Sequence, residues 1–248
     1  MDAKVKSLDK ALRILNCFTI EEPELGISEL SRQLDLYKSN VHNIIATFEK
    51  NGFIEQNPQT GKYRLGLGIL RLSHVVSSSQ GAQNTIHRYV TDLAARFKEI
   101  VYFGVLYSDQ VMYLDGAYPE QIYNLRWGAG MLAPLTCTSI GKAILAYSDD
   151  AIIERVLAQP MKKFTDATIL DPDIMRKELK VIRECGYSMD NMEHEYGVKC
   201  VGVPVFNRAN ELVGALSTTG PSLRFGEEQI AYYVQALKEA AQAIRNSI

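Results

Sequence analysis

Residues 28–64 fit two short helices, a three-residue link and a hairpin into one uninterrupted stretch, and that spacing is the outline of a winged helix-turn-helix. Within LYKSNVHNIIATFEKNG, the apolar residues Val41, Ile44, Ile45 and Phe48 stand at i, i+3, i+4 and i+7, one side of a helix. On the opposite side lie Ser39, Asn43 and Lys50, with Asn40 and His42 on the flanks and Lys38 at the start. Short hydroxyl and amide side chains suit the edges of bases in a major groove. Lys38, Ser39, Asn40, His42 and Asn43 are therefore the candidate DNA-reading set.

The flanking residues fit the same plan. Ser7 is placed to cap a first helix with Leu8, Ala11, Leu12, Leu15 and Phe18 at helical spacing, stopped by Pro23 and Gly26. Ser28 is placed to cap the second, and Asp35 tolerates the left-handed backbone of a tight link. Asn51 and Gly52 stop the third. Segments 53–56 and 62–65 flank turn residues, and alternation puts Lys62 and Arg64 on one face of the hairpin, where they can hold a phosphate backbone.

A formal net charge of -2 supplies no global attraction for nucleic acid, so any such contact depends on a local patch. Cys17, Cys137, Cys185 and Cys200 lack paired spacing, which points to thiols in a reducing compartment. With no secretory leader pattern and no run of about 18 apolar residues, a cytoplasmic location is expected, with no membrane contact.

Residues 67–82 read as a linker helix ending at a Ser-Gly run, giving a division into 1–66, 67–82 and 83–248. The last part opens with an amphipathic helix carrying Ile86, Tyr89, Val90, Leu93, Ala94 and Phe97. It closes with another carrying Ile230, Val234, Leu237, Ala241 and Ile244. Between them are strand-like runs at 101–107, 111–116, 122–126, 200–206 and 212–219, and Asp171-Pro172 opens a helix that reaches Gly186. Hairpin-linked strands with long helices predict an α+β fold on an antiparallel sheet.

Two constellations could carry chemistry. In APLTCTSIGKAILAY, Thr136, Thr138 and Ser139 precede an apolar helix, so hydroxyls and free N–H groups gather at a helix N-terminus; this suits a carboxylate, or is simply a cap. If Phe206 pairs with Glu211, Cys200 faces Ser217 and Thr219 shares its face, which lines a site or merely makes a half-polar sheet. A thiol enzyme would use Cys137 or Cys200 with His87 or His194 as base, and a metal would use Glu193, His194, Glu195 and Cys200. Neither set has the spacing of a catalytic or zinc motif, so no metal and no cofactor are expected.

The segments SLDKALRILNCF, ISELSRQLDLYKSNVHNIIATFEKNGFI, GKYRLG, PLTCTSIGKAILA and the run from Asp190 to Pro204 followed by STTGP resemble, in that order, the IclR family of bacterial transcription regulators. The resemblance covers nearly the whole chain. It implies a winged helix-turn-helix, a linker helix and a GAF-like effector-binding domain, acting as a homodimer or a dimer of dimers on an operator. It also implies a pocket for a small organic, aromatic or sugar-derived acid. By position, the backbone amides of Ser139 and Ile140 would meet the carboxylate, with Asp190, Cys200, Ser217 and Thr219 contributing side chains. A repressor is the expectation, and the alternative is a thiol-dependent enzyme on the GAF-like domain with an N-terminal assembly module. Asn40 and Asn43 replace a Thr and an Arg usual in the family, and amides favour adenine where Arg favours guanine. Asp35 replaces a usual Gly, and Ser139 a usual Ala or Gly.

Overall fold

The computed structural model describes residues 4–79, 81–119 and 128–248, and the expected strand at 122–126 lies outside them. The chain divides into two compact units, Met1–Gln80 and Gly81–Ile248.

In the first unit, α1 (Lys6–Leu15), α2 (Ile27–Leu34) and α3 (Lys38–Lys50) precede a hairpin of β1 (Ile54–Gln56) and β2 (Tyr63–Leu65), followed by α4 (Gly68–Ser79). Asp35 has φ 53° and Gly52 φ 74°, so both links bend where positive φ was expected. The caps differ from expectation. Ser7 and Ser28 lie inside their helices: α1 starts after Val5 without a side-chain cap, and α2 starts after Gly26, whose N–H donates to Glu29 Oε2 at 2.6 Å. A carboxylate three residues into α2 thus does the work assigned to a serine. Val41 and Ile45 enter a core with Ile14, Leu30, Ile54 and Tyr63, while Ile44 and Phe48 pack at its edge. Leu8 and Leu12 do not join it; they face outward on α1 with Val5, as Leu70 and Val75 do on α4.

The second unit opens with α5 (Gly81–Phe97), β3 (Ile100–Tyr107), β4 (Gln110–Ala117) and β5 (Leu132–Pro134). There follow α6 (Ser139–Ala146), α7 (Asp150–Leu157) and α8 (Pro172–Cys185), then β6 (Ser188–Asn191), β7 (Val198–Phe206), β8 (Leu212–Pro221), a 3-10 turn at Ser222–Arg224 and α9 (Glu227–Arg245). The strands form one antiparallel sheet in the order β5-β4-β3-β8-β7-β6, so the fold is α+β. β5 and β6 are additions: each is short and lacks an alternating apolar pattern. One sheet face carries Val101, Phe103, Val201, Val203 and Leu216 into a core with α5 and α9; the other meets α6, α7 and α8. Asp171 Oδ1 accepts from Asp173 N at 2.7 Å and Ile174 N at 3.0 Å, Pro172 fills the first turn, and Gly186 at φ 74° ends α8.

The contact that positions α6 is the absence of a side chain at Gly202. A Cβ there would lie 2.7 Å from the Ser139 carbonyl oxygen and 2.8 Å from Ser188 Oγ, which itself donates to that carbonyl at 2.6 Å. Gly202→Ala should therefore push the first turn of α6 off the sheet and destabilise the protein by about 1–3 kcal/mol, read as a lowered midpoint in thermal unfolding. An unchanged midpoint would mean that α6 is held elsewhere.

Candidate functional site

The expected pairing of Cys200 with Ser217 is corrected by two residues: Cys200 pairs with Thr219, and Ser217 with Gly202. The turn is one residue longer than assumed, with Phe206 opposite Leu212, and a bulge between Val205 and Phe206 adds the other. An even shift keeps every side chain on its face, so the polar set survives the error. Two adjacent rows result beneath α6. One runs Asp190, Cys200, Thr219, Ile100, and the next Ser188, Gly202, Ser217, Tyr102, Gly116.

These rows floor a cavity of about 460 Å³ lined by Asp190, Cys200, Ser217 and Thr219, with Tyr102 and Tyr113 as aromatic wall. Thr138 also lines it, and its Oγ1 caps α6 by accepting from Gly141 N at 3.0 Å. Ser139 and Ile140 do not line it with their side chains, which are buried. As the first residues of α6, however, they have N–H groups with no partner inside the helix, at its positive end. The cap reading and the carboxylate reading therefore coexist.

Asp190 is buried, its Oδ1 accepting from Glu193 N at 2.7 Å and more weakly from His194 N at 3.4 Å. Burial pushes its carboxyl up to about 7 against the opposing pull of those N–H groups. Cys200 Sγ lies 2.8 Å from Thr219 Oγ1 and 3.7 Å from Asp190 Oδ2. Burial raises the Cys200 thiol well above its ordinary value and Cys137 to about 12, with Asp190 reinforcing both. Both shifts disfavour the thiolate, the nucleophile on which the thiol-enzyme alternative would rely. Among the described residues no group of three His, Cys, Asp or Glu side chains could hold a metal ion.

Sequence reasoning missed the charged supports of this site. Lys142, fully buried in α6, places its Nζ 2.6 Å from Glu193 Oε1 and 3.1 Å from Glu178 Oε1. The signal was available: one lysine inside the apolar run SIGKAILA. At the cavity's edge, buried Glu99 holds the Arg224 guanidinium through two hydrogen bonds, Nη2 to Oε2 at 2.7 Å and Nε to Oε1. Their partnership across the fold left no mark in the sequence pattern.

On the first unit, Lys38, Ser39, Asn40, His42 and Asn43 are all exposed along α3, beside Tyr37, which is 82% exposed and was read only as link. The wing cations are already matched. Lys62 Nζ is 2.9 Å from Glu29, Arg64 Nε is 2.6 Å from Glu55, and Arg64 Nη1 is 3.8 Å from Glu24.

Comparison with known families decides what the two units are. Residues 74–246 match the bacterial transcriptional regulator IclR C-terminal domain, and residues 7–58 the IclR helix-turn-helix domain. The chain belongs to the IclR family. It is 31% identical over 249 residues to the transcriptional regulator KdgR of Escherichia coli, spanning 98% of this chain and 94% of KdgR. An IclR-family regulator from Silicibacter sp. TM1040 superposes with TM-score 0.88 at 27% identity, over 97% of this chain and 95% of that one. An IclR homologue from Microbacterium hydrocarbonoxydans, solved with 4-hydroxybenzoate, shares the fold with TM-score 0.84 at 22% identity, over 97% and 98%. The protein is an IclR-type, DNA-binding transcription regulator and not an enzyme. No helix among the described residues is long and apolar enough to cross a membrane.

The raised Asp190 carboxyl sets a pH signature. Because the folded state binds this proton more tightly than the unfolded chain, its contribution is fully present below about pH 4 and is lost as pH rises through about 7. Asp190→Asn keeps the Oδ1 acceptor but cannot ionise. Its stability relative to the parent should improve between pH 5 and pH 7.5 by something on the order of 2 kcal/mol, measured by urea unfolding. A constant difference across that range would contradict it.

Proposed function

We propose that this regulator is a ligand-responsive repressor whose C-terminal cavity binds a small organic, aromatic or sugar-derived acid and thereby alters operator binding. The carrying observation is the cavity of about 460 Å³ under the first turn of α6. A carboxylate there meets the N–H groups of Ser139 and Ile140 at a helix N-terminus, while Asp190, Cys200, Ser217 and Thr219 offer hydrogen bonds to the rest of the ligand. That a homologue of the same fold holds 4-hydroxybenzoate supports this class of ligand.

On the DNA side, Lys38, Ser39, Asn40, His42 and Asn43 enter the major groove, and Lys62 and Arg64 reach phosphates by exchanging their glutamate partners for them. The working unit is a homodimer on a near-palindromic operator. The outward apolar residues Val5, Leu8 and Leu12 of the α1 region and Leu70 and Val75 of α4 favour self-association of the DNA-binding units, with residues 67–82 as the link to the effector domain. Pairing of such dimers into tetramers is compatible with the same reading.

The test is an electrophoretic mobility shift with DNA from upstream of the protein's own gene, with and without candidate acids. Asn43→Ala should weaken specific binding about 5- to 100-fold, the range for one lost base contact. Glu55→Gln, which releases Arg64 from its exposed partner, should tighten binding a few-fold at low salt. The absence of any salt-sensitive shift would remove the operator reading, and unaltered binding in Asn43→Ala would move recognition off this face of α3. Leu8→Glu with Leu12→Glu should reduce the molar mass seen by light scattering to that of a smaller assembly. An unchanged mass would place the subunit contact elsewhere.

A further inference from the structure

The cavity floor has more acid than base. Asp190 lies at the end of β6, and three residues on Glu193 turns back beneath α6. Both are buried, and among the described residues the cation that penetrates to them is Lys142, whose ammonium is shared between Glu193 and Glu178 of α8. Glu193 uses Oε1 for that contact. Its Oε2 is buried and has no hydrogen-bond partner among the described residues. The other groups facing Asp190 are His194 on its own loop, Cys200 on β7, Tyr113 on β4 and Cys137 before α6. None of these offers a compensating positive charge: burial lowers the His194 pKa, and burial raises those of the two thiols and the phenol. Arg224, a cation that also lines the cavity, is bound to Glu99.

An anionic ligand adds another negative charge to this set. A carboxylate at the first turn of α6 stands over the row that contains Ser188 and Gly202. Asp190 and Cys200 occupy the next row on the same face, two residues along each strand, or about 7 Å. Two like charges at that distance, one of them on a buried carboxyl, repel more strongly than in water, and the cheapest relief is to neutralise one of them. The helix end favours the ligand's charge, so the proton goes to the protein.

We propose that the cavity binds its acid together with one proton, taken from solvent by the Asp190–Glu193 pair as the ligand's carboxylate settles against α6. The balance is one ligand anion plus one proton entering and nothing leaving, with no bond made in the protein beyond the carboxyl O–H. This deepens the reading of the cavity as an effector site and rests on it. Its consequence is that the effector signal depends on acidity. Near and below pH 7 Asp190 already carries the proton in the empty protein and binding requires none. Above that pH the proton must be drawn from an increasingly dilute supply, and affinity falls as pH rises.

Titration calorimetry of the full-length protein with benzoate and with 4-hydroxybenzoate, in two buffers of different ionisation heat at each pH (phosphate and MES at pH 6, phosphate and Tris at pH 8), tests this directly. The buffer dependence of the heat counts protons. At pH 8 the count should approach one proton taken up per ligand and the dissociation constant should be about fivefold weaker than at pH 7, with little uptake at pH 6. Asp190→Asn should remove both the uptake and the pH dependence. Binding at pH 8 without proton uptake overturns the proposal and leaves the effector site standing. Failure of both acids to bind at either pH overturns the proposal and the aromatic-acid reading together. The wild-type count decides alone, so a variant that failed to fold would not shelter the idea.

Discussion

The second unit depends on one close approach, that of the first turn of α6 to the sheet at Gly202. With any side chain at that position the Ser139 carbonyl could not sit where Ser188 Oγ reaches it, and the helix end would be lifted from the polar rows. Everything asked of the cavity follows from this contact: first-turn N–H groups with no partner inside α6 at one end, hydroxyls and a carboxyl on the floor, tyrosines at the wall. Further along the same face, where Ile140 of α6 packs, the sheet carries ordinary core residues such as Val111 and Ala133. The site is thus a polar break in an apolar interface, its helix end brought down to the sheet by a glycine and its floor set with groups that need partners.

Lys142 shows how the cost of that polar break is contained. An ammonium taken fully out of water is tolerable only when its donors are met, and here two carboxylates meet them. Removing one member would leave the other charge stranded, a loss of about 3–5 kcal/mol, although replacing the whole set by apolar groups could be neutral. The ion pair is therefore better understood as fixing the loop after β6 than as supplying stability. That loop is held again by Thr165 and Thr168, whose hydroxyls donate to the Glu193 carbonyl.

Features written in local pattern were legible before the structure: the stripe of α3, the left-handed Asp35, the stop at Gly52, the Asp171 cap and the amphipathic faces of α5 and α9. The errors share a cause. Ser7 and Ser28 were natural caps, but the chain met its helix ends through Val5 and the Glu29 carboxylate instead, because several solutions satisfy the same N–H groups. The register of β7 and β8 was off by two because the turn is one residue longer than its residues suggest and the bulge has no sequence signature strong enough to place it. Face, unlike register, was secure, so Cys200, Ser217 and Thr219 were found together despite the wrong pairing. Ion pairs joining distant segments, Lys142 with Glu193 and Glu99 with Arg224, leave no periodicity to read.

The wing has a consequence of its own. Glu24 accepts from Asn57 at 2.8 Å and Thr60 at 3.0 Å, Gln56 reaches the Gly61 carbonyl, and Leu25 pairs with Tyr63 through hydrogen bonds of 2.9 Å in both directions. A hairpin held so completely by its own unit is preformed, not moulded by its target. In the proposed contact with DNA, docking such a hairpin would cost little ordering entropy, and its dwell time would be governed by the exchange of one set of counter-charges for another. On that reading the wing would act as a rigid ion exchanger, with glutamates as its resting anions and phosphates as its working ones.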